Sequence, residues 1–227
     1  MTKTLLITGA STGIGEATAR AAVANGWRVA LAARSRDKLD QLASDLGRDL
    51  ARAITCDVQS PESVASAVHE TVSQFGQVDA VFANAGLGAT VAGTEMGEPD
   101  NWRDMILANC FGVALTAKYA IPELQKTKGQ FLVTGSIAGR RNFGGSIYGA
   151  TKWFVRGYVE NLRDELNGTG VRVTEIAPGM VDTPFFDDPK PQALRPDDIA
   201  RATMYALEQP ASVTIGDIRV MPTPASE

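Results

Sequence analysis

Tyr148 and Lys152 stand four residues apart in Tyr148-Gly149-Ala150-Thr151-Lys152. That spacing puts a phenol and an ammonium on the same face of a helix. A free phenol has a pKa of about 10 and is a poor base near neutrality. A neighbouring cation favours phenolate and lowers that pKa, so the pair can serve as general acid and base without imidazole. The chain has one histidine, His69, one position off the apolar face marked by Val64 and Val68, and it reads as a surface residue. A multi-histidine zinc site cannot be built from it, and no metal is expected. Tyr and Lys meet at this spacing by chance in many helices, so the pair needs company. Ser136 supplies it. It follows the strand-like run Gln130–Thr134, and side chains at the carboxyl ends of parallel strands face the ligand crevice. Ser136 and Tyr148 are expected to converge on one oxygen.

A second constellation lies at the N-terminus. The run Thr4–Thr8 leads into Gly9-Ala10-Ser11-Thr12-Gly13-Ile14-Gly15, and a helical pattern follows. Glycines there let a diphosphate approach backbone N–H groups, and the helix N-terminus adds partial positive charge. The spacing Gly-x3-Gly-x-Gly is neither the commonest dinucleotide fingerprint nor a P-loop. A turn that merely packs helix on strand is the alternative. The next strand ends Ala32-Ala33-Arg34-Ser35-Arg36 with no acid to accept from a ribose 2′-OH. Arg34 can instead fork onto a 2′-phosphate, so NADP(H) is expected in preference to NAD(H). A solvated arginine at the start of a helix is the plainer reading of that residue.

These residues must be carried by a scaffold. Apolar or β-branched runs at Thr4–Thr8, Trp27–Ala33, Ala51–Thr55, Val78–Ala83, Gln130–Thr134, Val171–Ala177 and Ser212–Val220 alternate with amphipathic stretches. The latter are Ile14–Asn25, Arg36–Leu46, one opened by Ser60-Pro61, Trp102–Gln125, Tyr148–Leu166 and Pro196–Glu208. Alternation of this kind predicts an α/β fold, a doubly wound parallel sheet of seven strands with helices on both faces. No repeat or linker interrupts it, so residues 1–227 are expected to form one domain. The Pro-rich piece Pro184–Pro196 is long enough for a lid. With 44% apolar and 21% charged residues the chain can bury a substantial core. No long uncharged apolar run predicts a membrane span. A net charge of −4 gives no general attraction to nucleic acid. Cys56 and Cys110, far apart and outside any CxxC, fit a reducing cytoplasm. Cys110 is expected to be a packed core thiol.

The glycine turn, the strand-end serine and YxxxK together resemble the short-chain dehydrogenase/reductase family, and further motifs follow in that family's order from Thr4 to about Val220. Asn84-Ala85-Gly86 is similar to its Asn-Ala-Gly motif, which supports the central sheet. Asp57-Val58 resembles the adenine-contacting Asp-Val. Asn109 falls where the family has a helix-kinking asparagine that holds a water beside the lysine. Pro178-Gly179-Met180-Val181-Asp182-Thr183 resembles the Pro-Gly loop, whose threonine meets the nicotinamide carboxamide. The resemblance implies a Rossmann-type fold and metal-free hydride transfer between nicotinamide and a carbonyl or carbinol carbon. Ser136 would bond the substrate oxygen, Tyr148 carry the proton, Lys152 tune Tyr148 and bind the nicotinamide ribose, and Asn109 anchor the water. It also implies a homotetramer or homodimer with a helix-pair contact that includes Trp153 and Phe154.

Two features depart from the family pattern. Ser136 precedes Tyr148 by 12 positions, one fewer than in many members, and Thr12 stands where many NADP-using relatives carry a cation. The substrate pocket is expected between Leu87–Thr94, the Gly139–Gly145 loop and the lid, with Phe185 and Phe186 as an apolar lining. Arg140 and Arg141 could pair with a substrate carboxylate, or be solvated, or lie at a subunit contact. The short lid and the ending Ile218-Arg219-Val220-Met221-Pro222-Thr223 resemble the branch holding NADP-dependent 3-hydroxy acid dehydrogenases of the serine type. That suggests a small 3-hydroxy acid or 3-oxo acid. A broad aldehyde or ketone reductase is the rival within the enzyme class, and a catalytically silent NADP-binding sensor is the rival outside it. Nucleotide-sugar epimerases share YxxxK but are longer and use a different glycine turn.

Overall fold

The computed structural model describes residues 2–186 and 188–223. Among them, β1 (Thr4–Thr8), β2 (Arg28–Ala33), β3 (Ala51–Thr55), β4 (Ala80–Ala83), β5 (Gln130–Thr134), β6 (Arg172–Pro178) and β7 (Asp217–Val220) form one sheet. Its order is β3-β2-β1-β4-β5-β6-β7, and every neighbouring pair is parallel. The helices are α1 (Gly13–Ala24), α2 (Arg36–Leu46), α3 (Pro61–Phe75), α4 (Pro99–Ile106), α5 (Gly112–Thr127), α6 (Ile147–Glu165) and α7 (Pro196–Leu207).

The strands are apolar on both faces because helices cover both. Successive residues of β1 show it: Leu6 joins a core with Val64 and Val68 of α3, Val113 of α5 and Val155 of α6. Leu5 and Ile7 join the opposite core with Ala19 of α1, Leu39 of α2 and Ile199 of α7. Phe82 and Phe131 are fully buried, each worth roughly 2–3 kcal/mol of apolar burial. After β3 the chain returns to the far side of β1. The loops that leave β1 and β4 therefore diverge, and a crevice opens at the carboxyl ends of the central strands.

Local chemistry sets several helix boundaries. Ser60 accepts from the Ser63 N–H ahead of Pro61, and Gly76 closes α3 with φ +84°. Ser146 likewise accepts from the Gly149 N–H at the start of α6. The long helix expected from Trp102 to Gln125 begins at Pro99 and is broken by a π-helical turn at Leu107–Phe111, which carries Asn109. Taken whole, Pro99–Thr127 has the length and apolar character of a membrane span, yet half of its most apolar stretch is buried and it packs on α3, β4 and β5. It is a core helix. The last strand is shorter than the expected Ser212–Val220. Side chains take the place of the ladder before Gly216: Arg172 Nη1 donates to the Val213 carbonyl (3.0 Å) and Thr174 Oγ1 to that of Ile215 (2.8 Å).

Asn84 joins three strand ends. Its Nδ2 donates to the Thr8 and Gly9 carbonyls (3.2 Å each), and its Oδ1 accepts from Thr134 Oγ1 (3.0 Å). Thr8 Oγ1 in turn accepts from the N–H groups of Asn84 (3.1 Å) and Ala85 (3.2 Å). Asn84→Ala removes the link among β1, β4 and β5 and should cost about 1–3 kcal/mol of stability. A lower urea midpoint at unchanged m-value is the expected result, and an unchanged midpoint would show that the link adds nothing.

Candidate active site

The crevice is a cleft of about 430 Å³ that runs from the end of β2 to the N-terminal turn of α6. At its centre lies the turn after β1. Gly9 and Gly13 have φ of +67° and +58°, in the left-handed region that glycine adopts without strain. A Cβ on Gly9 would also come within 2.8 Å of Ala85 Cα. Thr12 begins α1 without a side-chain cap, so the first N–H groups of the helix are left to the cleft. Ser11, Thr12, Gly13 and Ile14 line it with Gly9, whereas Gly15 does not. A Cβ on Gly15 would meet the Gly9 carbonyl oxygen at 2.2 Å, so this glycine seats α1 on the turn rather than facing a ligand.

At the β2 end the lining comprises Arg34 with Ala33 and Ser35, then Cys56, Asp57, Val58 and Gln59. Arg34 is exposed, and its guanidinium has no hydrogen-bond or ion-pair partner among the described residues. Ser63 Oγ accepts from the Asp57 N–H (2.9 Å) and Asp57 Oδ1 from that of Gln59 (3.0 Å), which sets the backbone there. Gln59 has no motif to mark it in the sequence; the loop fold alone brings it in. Asn84, Ala85 and Gly86 line the middle of the cleft, with Pro178, Gly179, Val181 and Thr183 opposite. Thr183 sits against Gly13, its methyl 3.1 Å from where a Cβ would be.

Ser136, Tyr148 and Lys152 meet at the other end. The Lys152 ammonium donates to the Thr134 carbonyl (2.8 Å) and lies 5.7 Å from the centre of the Tyr148 ring. Ser136 opens a 3-10 turn, Ile137–Gly139, and its Oγ accepts from the Ala138 N–H (3.0 Å), which leaves the hydroxyl proton free to donate. A Cβ on Gly139 would meet the Lys152 carbonyl at 2.4 Å. The serine turn therefore packs directly on the backbone of α6, and this contact fixes the serine relative to the lysine.

Asn109 is buried and does not line the cleft. Its carboxamide is engaged with the protein: Oδ1 accepts from the Leu87 N–H (2.8 Å), while Nδ2 donates to the Leu87 carbonyl (2.9 Å) and Thr151 Oγ1 (3.1 Å). The side chain fixes Leu87 against the π-helical turn. Both Asn109 Oδ1 and Lys152 Nζ lie within 4 Å of the Cβ position of Gly86, so the two groups face each other across it.

Burial governs the electrostatics of this end of the cleft. Burial pushes the Tyr148 phenol above its ordinary range, and hydrogen bonding with Ser136 only partly opposes this. The Lys152 charge acts on the phenol in the opposite direction to burial, favouring its ionised form. Burial lowers Lys152 to about 8, opposed by Glu175 and then Cys110. Cys110, expected in the core, is half-buried beside that ammonium. His69 is exposed, as its position on α3 predicted.

The substrate side holds a second correction. Arg140 turns away from the cleft, and its Nη2 pairs with Glu175 Oε2 (2.5 Å) and Asp217 Oδ1 (3.4 Å). Arg141 is exposed and stacks on Phe143, 5.0 Å from the ring centre. What lines this end is apolar: Leu87, Gly88, Pro184, Phe185 and Phe186. The Phe185 ring lies 5.5 Å from that of Tyr148 and presses on Gly88, where a Cβ would meet it at 2.7 Å.

The family model for short chain dehydrogenases matches residues 3–193, and the chain belongs to that family. An uncharacterized oxidoreductase of Staphylococcus aureus (strain MRSA252) is 38% identical over 97% of each chain. A serine 3-dehydrogenase of Agrobacterium fabrum is 33% identical, covering 98% of this chain and 94% of its own length. The solved alcohol dehydrogenase of the archaeon Thermococcus sibiricus, complexed with 5-hydroxy-NADP, superposes over the whole of both chains with a TM-score of 0.91 at 36% identity.

Burying the Lys152 ammonium has a consequence for stability. Its pKa is near 8 in the folded protein and about 10.4 in the unfolded chain. Between those values the unfolded state binds more protons, so stability rises with pH across that window. The cost of charge burial is fully present below pH 8 and is gone above about 10.4. Lys152→Met, which forfeits the bond to Thr134, should stabilise the protein by roughly 1–3 kcal/mol at pH 7. The gain should vanish in melts near pH 10.5. A gain independent of pH would refute this origin.

Proposed function

We propose that the protein is an NADP(H)-dependent oxidoreductase of carbonyls and alcohols. The observation that carries this reading is the convergence of Ser136, Tyr148 and Lys152 at one end of a cleft whose other end is Arg34. The residues between suit a dinucleotide. The uncapped start of α1 offers N–H groups to a diphosphate, and the glycine turn leaves the backbone bare beside it. Arg34, without a carboxylate partner, would meet a 2′-phosphate, and the NADP analogue in the related alcohol dehydrogenase supports that preference. Asp57 and Val58 would flank the adenine, and Thr183 the carboxamide. When bound, the nicotinamide supplies or accepts the hydride.

The chain's own groups do the rest. The Ser136 hydroxyl donates to the substrate oxygen and steadies the negative charge that develops there. In reduction Tyr148 gives that oxygen its proton, and in oxidation it takes the proton back. A phenol held protonated by burial suits the reductive direction at neutral pH. Lys152 keeps a positive charge next to the phenol as its proton leaves and holds the ribose hydroxyls. With Arg140 engaged by Glu175, the cleft favours a compact, largely apolar aldehyde or ketone. A small 3-hydroxy acid is the second reading, supported by the likeness to the serine 3-dehydrogenase. The whole chain would act as one catalytic unit. Exposed Ile106, Phe111, Trp153 and Phe154 along α4–α5 and α6 support the homodimer or homotetramer that the family resemblance implies. The free thiols support a cytoplasmic setting.

A panel of aldehydes, ketones and 3-oxo acids with NADPH should reveal turnover, highest among the neutral carbonyls. Tight NADPH binding with no turnover on any of them would overturn the enzyme reading in favour of a sensor. Tyr148→Phe should lower turnover by about 10²–10⁴-fold with NADPH affinity roughly intact. Arg34→Ala should weaken NADPH roughly 10–100-fold, the worth of a charge-assisted phosphate contact, and leave NADH nearly unchanged. Equal losses for both cofactors would reject the 2′-phosphate assignment.

A further inference from the structure

Glu175 is the one acidic residue of β6, and at 1% exposure it is among the most buried charges of the protein. A carboxylate in that position requires a counter-charge or a proton. Arg140 provides a partner for Oε2, but Arg140 is shared with Asp217 of β7, and Glu175 Oε1 has no hydrogen-bond partner among the described residues. That free oxygen lies against Gly135, where a Cβ would come within 2.0 Å of it. Gly135 directly follows Thr134, whose carbonyl holds the Lys152 ammonium. The glycine is what allows the carboxylate to reach the underside of the site. Arg140, for its part, ends the 3-10 turn that Ser136 begins.

We propose that Glu175 is a positioning residue of the site: its carboxylate is the counter-charge of the Lys152 ammonium, and its pair with Arg140 ties the serine turn to β6. Lys152, Arg140, Glu175 and Asp217 then form a set of two positive and two negative charges that runs from the cleft to the edge strand. The other groups bearing on it are few. Lys152 also faces Cys110 from the π-helical turn and Tyr148 from its own helix; burial raises the Glu175 carboxyl, opposed by Arg140 and then by Arg156 and Arg163 of α6. The burial cost of the ammonium is opposed first by Glu175 and less by Cys110. The role of Glu175 in turnover rests on the oxidoreductase reading, whereas its effect on the charge of Lys152 does not.

The test follows the lysine directly. Lysine Nζ signals are titrated by NMR in the cofactor-free protein, with the Lys152 signal assigned by its loss in Lys152→Met. Glu175→Gln keeps the shape and an acceptor for Arg140 but removes the charge. It should lower the Lys152 midpoint by about one pH unit. Glu175→Asp, which restores the charge, should return the midpoint to the wild-type value. The alkaline limb of kcat/KM for carbonyl reduction should move to lower pH with the midpoint in Glu175→Gln and not in Glu175→Asp. An unchanged midpoint in Glu175→Gln overturns the proposal. So does a wild-type Lys152 already uncharged at pH 7, a result that needs no variant to fold. A shifted midpoint in a protein that turns over no substrate would uphold the counter-charge and overturn the oxidoreductase reading instead.

Discussion

A single ammonium, that of Lys152, sits almost wholly out of water on the carbonyl of Thr134. Much of the site's structure is what that burial requires. A charge in so dry a place needs acceptors, a counter-charge and rigid walls, since each missing partner costs several kcal/mol. The walls come from close backbone approaches. Gly139 lets the serine turn lie on α6, and Gly86 lets the strand-end loop pass between Lys152 and Asn109. The carboxamide of Asn109 then holds Leu87 in place from the π-helical turn. Ser136, Tyr148 and the lysine are held at fixed separations because the serine turn lies directly on α6 and the Gly86 loop is pinned by Asn109.

The sheet supplies the other half of the geometry. Parallel strands all end on the same side, and the order reversal beside β1 leaves that side open at its centre. Into this opening project the bare backbone of the glycine turn and the start of α1, a positive pole that no side chain caps by a hydrogen bond. Asn84 prevents the opening from spreading, because it bonds to strand ends on both sides of its own. The cleft is thus polar where the backbone faces it and apolar where the lid does. Phe185 makes the division sharp by covering both Tyr148 and Gly88.

Charge is allotted in the same way. Arg140 and Glu175 stand 35 residues apart in the chain, yet the pairing of β5 with β6 and the short serine turn bring them together beneath the site. The arginine is thereby withdrawn from the substrate side and serves the scaffold. Burial also raises the phenol of Tyr148, opposed in part by its hydrogen bond with Ser136. The phenol thus stands beside an ammonium that burial lowers to about 8.

Much of this was legible in the residues alone, and the reason is distance along the chain. The glycine turn, the Tyr148–Lys152 spacing, the Ser60 cap and the alternating strands and helices are local patterns, each set by the geometry of a few consecutive residues. Their order along the chain was enough to indicate the doubly wound sheet, while Asp57, Asn84 and the Pro178–Thr183 part of the cleft lining came from the resemblance to the family. The relations that were not legible join residues remote in sequence. Gly15 resembles its neighbours in the turn but is directed at Gly9 and Asn84 by the packing of α1. Arg140 reads as a free cation until β6 places Glu175 beneath it. Gln59 enters the cleft through the fold of its loop, and β7 is shortened by side chains from β6 that take its carbonyls. Whether the phenol is raised or lowered depends on how much water the finished fold excludes. Solvent exclusion belongs to the assembled protein, because no short segment can exclude water from its own side chains.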